Sequence, residues 1–308
     1  MNQGEVLSRT WKLLWKHKVL YLLGLVSALV SSGIGILNVI AMPNSMDKVE
    51  NWANALSNTI RNTPLTTWVL LGLGLLVFWA VVLYLTQAFK AAQLRGVWQV
   101  DTAEPQQLSF GQLWQEGQPY VLRMILLSLI FGGISLMGVL AVIIPFVYGM
   151  ISETYWLLCL ALPLVFVLLA ATILLQVFTQ LGGAAIVAEN LGVIAAIRRA
   201  WDVAIHHKAA VALLMLFLYL INYGISMLIQ APTSLFTGLI NGGIGMDYDI
   251  FPMLQGLMII MMLITVLYTG LWLSFYNTAW LLAYNQLTRP EPPALTAAEP
   301  TPTNLQES

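Results

Sequence analysis

The sequence predicts an all-α integral membrane protein whose six transmembrane helices form three hairpins. Composition is the first observation behind this prediction: 59% of the 308 residues are apolar and only 9% are charged. Soluble domains carry about 25% charged residues, so this chain has too little polar surface for a water-soluble body of its size. The second observation is that the apolar residues fall into six long runs. The third is an uneven distribution of lysine and arginine among the connecting segments.

Each apolar run is long enough for a helix that crosses a bilayer, which takes about 20 residues. Backbone amides find no water in hydrocarbon, so continuous apolar runs satisfy their hydrogen bonds as helices. A β-barrel would show short segments of alternating polarity instead. The very short turn at 152–154 predicts an antiparallel hairpin of the third and fourth spans. We place the six spans near residues 19–42, 65–89, 121–147, 154–180, 209–231 and 253–284.

The basic residues predict the orientation. Of the 13 lysines and arginines, only Lys48 and Arg61 fall on the side opposite the termini. Cytoplasmic loops are enriched in Lys and Arg, so the N-terminus, the C-terminus and the loops between hairpins are predicted to be cytoplasmic. The polytopic membrane domain is predicted to cover residues 1–288. The tail over 289–308 is rich in Pro, Thr, Ala and Glu and is predicted to be disordered in the cytoplasm.

Two outer segments differ in kind. The segment 44–64 has apolar residues at helical spacing, which predicts a short amphipathic helix on the outer membrane surface. The segment 232–252 is rich in glycine and contains Asp247 and Asp249. It is interpreted either as a flexible outer loop or as a partly re-entrant loop that contributes to a site. Two aspartates are too few for a calcium-binding loop.

An internal repeat organises the chain. Arg, Trp, His and Lys recur at the same four offsets in two segments, and each segment runs directly into a span. A weaker copy, which lacks the His-Lys end, begins at 110–114. The two full copies are Arg9, Trp11, His17 and Lys18, and then Arg199, Trp201, His207 and Lys208.

The returning span of each unit carries a further mark. Thr86, Thr179 and Thr278 lie near its cytoplasmic end, and each has an alanine five residues later. All three units start and end inside, so they are predicted to be parallel repeats related by rotation about the membrane normal. The units cover about residues 5–97, 108–193 and 195–288.

We call the amphipathic segment that opens each unit its leading helix. In the first unit, Trp11 and Trp15 share a face with two leucines, and the cations lie elsewhere. Tryptophan favours headgroup depth, and each cation near anionic lipid contributes about 1 kcal/mol. Topological anchoring and binding of lipid headgroups between helices both stay open as interpretations. The interfacial candidates are Arg9, Trp11, Lys18, Arg198, Arg199, Trp201 and Lys208.

Few polar residues lie in or near the spans. The candidates among them are Thr179, Gln180, Glu189 and Asn277. Amides in spans are typical of interhelical hydrogen bonds. Glu189 follows an apolar stretch at a cytoplasmic helix end. It is interpreted as pairing with Arg198, Arg199 or a cation of another repeat, as capping the helix, or as contacting a substrate.

Motifs for enzymatic chemistry are missing from the sequence. It contains no H-E-x-x-H motif, no phosphate-binding G-x-x-x-x-G-K-[ST] loop and no carboxylate pair within a span. Ser135 and Ser226 follow glycine motifs, but no histidine lies at a matching depth to act as their base. We therefore predict no enzymatic activity, no cofactor, no metal site and no nucleic-acid partner. The predicted partners are membrane lipids or another membrane protein.

The stretch from Gly183 to Trp201 combines a helix end rich in small residues, a glutamate and the sequence Ala-Ile-Arg-Arg-Ala-Trp, with Lys208 seven residues on. It resembles a prokaryotic group around the membrane domain of glycerophosphoryl diester phosphodiesterases and the YciC-like proteins of unknown function. Ala200 departs from the serine of that pattern. The resemblance implies a stand-alone membrane domain in the cytoplasmic (inner) membrane, without the separate catalytic barrel.

These observations predict a non-enzymatic accessory or scaffold protein of the cytoplasmic membrane that engages lipid or another envelope protein. The alternative is a transporter or flippase-like protein for a lipidic or weakly polar substrate. Its site would lie between repeats, near Thr179, Gln180 and Asn277. A membrane enzyme is the third class and has the least support in the residues.

Overall fold

The structure is a computed structural model that describes residues 3–40, 63–102, 108–152, 154–241 and 251–288. Throughout these ranges the regular elements are α-helices, which confirms the all-α prediction. The eight helices described are α1 (Gln3–Lys16), α2 (Lys18–Ile40), α3 (Leu65–Thr102), α4 (Phe110–Ile151), α5 (Tyr155–Ala188), α6 (Val193–His206), α7 (Lys208–Asn241) and α8 (Phe251–Thr288).

Five helices, α3, α4, α5, α7 and α8, are each long and apolar enough to cross a membrane. The pair α1 and α2 meets the same test only together, and the two are bent by 92° at the break between them. The fold is thus compatible with a multi-pass membrane protein of five or six spans.

Several helices are longer than their predicted spans. The prediction ends the second span at residue 89, but α3 continues to Thr102 and has 38 residues. At 1.5 Å per residue such a helix is about 57 Å long, which exceeds the hydrocarbon thickness of about 30 Å. A helix of this length that crosses a bilayer extends beyond its apolar layer.

The packed core lies at one end of the helices. Helix α3 is exposed from Leu65 to Val81 and largely buried from Ala88 to Val97. Helix α8 is continuously buried from Ser274 to Asn285. We call this the basic end, because Arg9, Arg95, Arg123, Arg199 and Lys208 lie there. The opposite halves of the helices expose Leu, Val and Phe side chains, a surface for which lipid is the natural solvent.

The helices form an inner and an outer set. The inner set is α3, α5 and α8, each of which contacts the other two. In the outer set, α2 packs on α3 and α8, α4 packs on α3 and α5, and α7 packs on α8. The short helices lie against inner ones, α1 on α8 and α6 on α5.

Glycines allow the close approach of α2 and α8. A Cβ atom on Gly24 would overlap the Ser274 hydroxyl and lie 2.8 Å from the Gly270 carbonyl oxygen. A Cβ atom on Gly270 would lie 2.7 Å from the Cα atom of Leu25. Small residues on the first span, among them Gly24 and Ala28, predict close packing within the bundle. That prediction is confirmed at Gly24.

Two segments differ from their predictions. The second unit has no separate leading helix, because α4 runs from Phe110 to Ile151 without a break. The predicted loop over 232–252 begins later, since α7 continues through Pro232 to Asn241. Leucine, phenylalanine and isoleucine continue the apolar pattern of α7 past the proline, and this favours helix.

Other predicted features fall outside the described residues. These are nearly all of the amphipathic outer segment 44–64, the aspartate pair after α7 and the tail over 289–308.

Candidate functional site

A first polar cluster at the basic end joins α1, α3 and α8. The side chain of Asp101 is only 2% exposed, and its carboxylate forms an ion pair with Arg9 at 2.5 Å. Its other oxygen accepts a hydrogen bond from the Asn285 amide at 2.8 Å. Arg9, predicted as an interfacial residue, therefore fixes α1 to the bundle, while its side chain remains 49% exposed.

A second cluster joins α5, α6 and α8 around Glu189. One carboxylate oxygen of Glu189 accepts hydrogen bonds from Arg199 at 3.1 Å and from the Tyr284 hydroxyl at 2.5 Å. The sequence offered Arg198 or Arg199 as the partner of Glu189, and the structure pairs it with Arg199. Hydrogen bonding to Tyr284 and the nearby Glu189 carboxylate together raise the pKa of Arg199.

The connection between α5 and α6 is also held from α4. The guanidinium of Arg123 donates to the side-chain oxygen of Asn190 at 2.7 Å and to its carbonyl at 3.2 Å. Asn190 has φ of 52°, a left-handed conformation that asparagine tolerates better than most residues. The Glu189 cluster and Arg123 thus set the direction in which α6 leaves α5.

We expect Tyr284→Phe to lower stability by about 1–2 kcal/mol. The change removes a hydrogen bond to a charged acceptor and leaves the ring in place. Thermal unfolding in detergent measures the difference. Tyr223→Phe is the matched control, because the Tyr223 side chain is exposed and its loss of a hydroxyl should change nothing. Equal effects of the two substitutions would contradict this assignment.

The intramembrane polar candidates do not form one cluster. Asn277 is buried in α8 and donates to the side-chain oxygen of Gln93 on α3 at 3.1 Å. Gln93 in turn donates to the Ser274 carbonyl at 3.0 Å. Thr179 donates to the Leu175 carbonyl of its own helix, and Gln180 is half-buried beside it on α5. The described contacts therefore tie Asn277 to α3.

Lys90 directly follows the predicted span 65–89 and is not one of the sequence candidates. The structure puts it inside α3, and α3 continues to Thr102. Its Cε atom lies 4.0 Å from where a Cβ atom on Gly183 would be, beside Met124 and Leu94. Among the described ion pairs none involves Lys90. The repeat marks this contact in the sequence. Lys90 lies four residues after Thr86, and Gly183, which it approaches, lies four residues after Thr179.

A groove of about 510 Å³ runs between α5 and α7. Its walls are apolar, and Lys208 is the charged residue that lines it. Tyr219 also lines it and donates to Gln176 across the groove at 2.8 Å. The ring of Trp201 stacks on Phe178, a wall residue, with 5.3 Å between ring centroids. Of the predicted interfacial residues, Lys208 therefore lines the groove and Trp201 adjoins it through Phe178.

The remaining interfacial candidates face outward. Lys18 and Arg198 are exposed. Trp11 is 47% exposed and makes edge contacts with Trp15 and Phe275, at 5.6 and 6.4 Å between centroids. Within the described ranges, no group of three or more His, Cys, Asp or Glu side chains is placed to hold a metal ion.

Comparison with protein-family models, with curated protein sequences and with solved structures finds no match to this chain.

Proposed function

We propose that this chain is a non-enzymatic protein of the cytoplasmic membrane that engages anionic lipid at its basic end, as an accessory or scaffold protein. One observation carries the proposal. The short helices α1 and α6 bury one side in the bundle and hold tryptophan and cations outward. Trp11 and Trp201 are 47% and 54% exposed.

The buried sides explain why these residues stay outward. Val6 and Leu13 of α1 and Ala196 and Val203 of α6 are buried, and the two helices pack on α8 and α5. The exposed sides therefore cannot turn into the bundle. Tryptophan favours headgroup depth and cations attract anionic lipid, so the outward sides suit a membrane surface.

The proposed architecture is three parallel repeats, with the basic end in the cytoplasm. Helix lengths support the repeats: α1 and α6 have 14 residues each, and α3 and α8 have 38 each. A single residue, His17 or His207, separates each short helix from the next one. The returning helices α3, α5 and α8 form the inner set, as rotation about a common axis requires. We also propose that the chain belongs to the group that residues 183–201 resemble.

Lipid-dependent stabilisation tests the function. Phosphatidylglycerol should raise the unfolding temperature of the delipidated protein more than phosphatidylcholine does. Lys12 on α1 and Arg198 on α6 are both exposed. Arg198→Gln combined with Lys12→Gln should weaken the anionic-lipid effect by about 2 kcal/mol, because each surface cation contributes about 1 kcal/mol. The charge-conserving pair Arg198→Lys and Lys12→Arg is the control. Equal stabilisation of the unaltered protein by both lipids would overturn the proposal.

A lipid transporter is the second candidate, and Lys90 favours it. Lysine is rarely enclosed by apolar side chains unless it is paired, and Lys90 lies beside Met124 and Leu94, so it is a candidate for a functional cation at the basic end. Lipid transfer between leaflets in proteoliposomes provides the test. Loss of transfer in both Lys90→Met and Gln180→Ala would support a transport path between α3 and α5. The absence of transfer by the unaltered protein would leave the accessory function as the better proposal.

A further inference from the structure

We propose that the groove between α5 and α7 binds one acyl chain of an anionic glycerophospholipid, with the lipid phosphate at Lys208. This inference rests on the proposed lipid-engaging function and names its ligand class and its site. The volume of about 510 Å³ falls within the range of about 300–1,000 Å³ that is typical of ligand sites.

The groove is recessed and has defined ends. Val177 and Met215 are buried at its base. The stacked rings of Phe178 and Trp201 adjoin it near the basic end. Farther along, the hydrogen bond from Tyr219 to Gln176 joins α7 to α5. An acyl chain in this space contacts protein on several sides, whereas a lipid on a flat helix face contacts it on one.

The wall chemistry suits a hydrocarbon chain. Apart from Lys208 and Tyr219, the groove is lined by aliphatic side chains, alanines and Phe178. Leu174 and Leu216 are exposed, at 58% and 54%, so the groove opens sideways toward the space that lipid would fill. A chain can therefore enter from the bilayer and needs no opening of the bundle.

Charge selects the headgroup. Lys208 is exposed, and among the described ion pairs it has no carboxylate partner. It is also the first residue of α7 and lies at the basic end of the groove. A phosphate at this point meets the ammonium group while the attached chain lies along α7 toward Tyr219.

The repeat supplies a matched lysine on a helix that packs differently. Lys18 begins α2 as Lys208 begins α7, and both side chains are exposed. Helix α2, however, packs on both α3 and α8, whereas the packing partner of α7 in the inner set is α8. Lys18 therefore has the charge of Lys208 but begins a helix that packs against two inner helices.

Photolabelling in vesicles tests the proposal. The full chain is reconstituted in phosphatidylcholine vesicles that contain trace phosphatidylglycerol or phosphatidylcholine with a diazirine on one acyl chain. We expect labelling at Ile173, Met215 and Leu216 to be several-fold stronger with the phosphatidylglycerol probe. Lys208→Gln should bring the two probes to the same level, and Lys18→Gln should keep the difference. Ala212→Trp, at an exposed wall position, should fill the groove and remove labelling by either probe.

The outcomes separate this site from the general function. Equal labelling of the groove by both probes in the unaltered protein would overturn the groove proposal, as would unchanged labelling in Ala212→Trp. If phosphatidylglycerol still stabilises the protein against heat in that case, the lipid-engaging function stands without this site. If phosphatidylglycerol gives no preferential stabilisation of the unaltered protein, the proposed function itself fails.

Discussion

Gly24→Leu is expected to destabilise the protein by at least about 3 kcal/mol, the upper part of the usual range for overpacked interiors. The new side chain would begin where the Ser274 hydroxyl and the Gly270 carbonyl already lie. The carbonyl belongs to a helix backbone and cannot rotate away, so α2 and α8 must separate. Thermal unfolding in detergent and recovery as a single species in gel filtration measure the effect.

Gly72→Leu is the matched control for this substitution. Gly72 lies in the exposed half of α3, and a Cβ atom there would meet nothing within 4 Å. Leucine is also favoured over glycine in helices by roughly 1 kcal/mol, so this variant should be as stable as the parent or slightly more. Gly24→Ala should also destabilise the protein, because the new Cβ atom would overlap the Ser274 hydroxyl. Adding Ser274→Ala removes that hydroxyl and should restore part of the stability that Gly24→Ala loses. Equal losses in the Gly24 and Gly72 leucine variants would exclude the close contact of α2 and α8.

Hydropathy predicted the apolar parts of the helices and not their full lengths. The apolar run in α3 ends near Phe89, and Lys90, Gln93 and Arg95 follow it. A hydropathy scan treats such residues as the start of a cytoplasmic loop. The buried part of α3, from Ala88 to Val97, is nevertheless helical, because packing beyond the apolar layer needs one apolar face only.

For the groove between α5 and α7, the sequence predicted two of the residues at its basic end but not its shape. The repeat singled out Trp201 and Lys208 because both recur in the first unit. The groove beside them depends on how far α7 lies from α5, a tertiary property without a local signal. The partnership of Asn277 with Gln93 joins residues 184 positions apart, so no short-range pattern announces it.

Asp101→Ala is expected to release α1 from the bundle and to destabilise the protein by about 2–4 kcal/mol. Asn285 is 3% exposed and would lose its acceptor, which costs about 1–3 kcal/mol for a buried polar group. Loss of the Arg9 pair adds less, because that guanidinium is 49% exposed and water screens it. Faster trypsin cleavage around Lys16 and Lys18 would report the release, and the phosphatidylglycerol effect should fall with it.

Glu116→Ala provides the comparison that separates this ion pair from surface pairing. Arg95 and Glu116 form an ion pair at 3.4 Å with both side chains 30% exposed, and Glu116 also accepts hydrogen bonds from Gln99 and Gln112. Water screens this partly exposed cluster, so its loss should cost about 1 kcal/mol, less than the loss of Asp101. Asp101→Asn then separates the contact with Asn285 from the contact with Arg9, because an amide oxygen still accepts from Asn285 but carries no charge for Arg9. If Asp101→Asn is nearly as stable as the parent but is cleaved faster by trypsin, the contact with Asn285 stabilises the core and the ion pair with Arg9 holds α1 in place. Slow cleavage in both Asp101 variants would show that apolar contacts such as Val6 and Leu13 hold α1 without the ion pair.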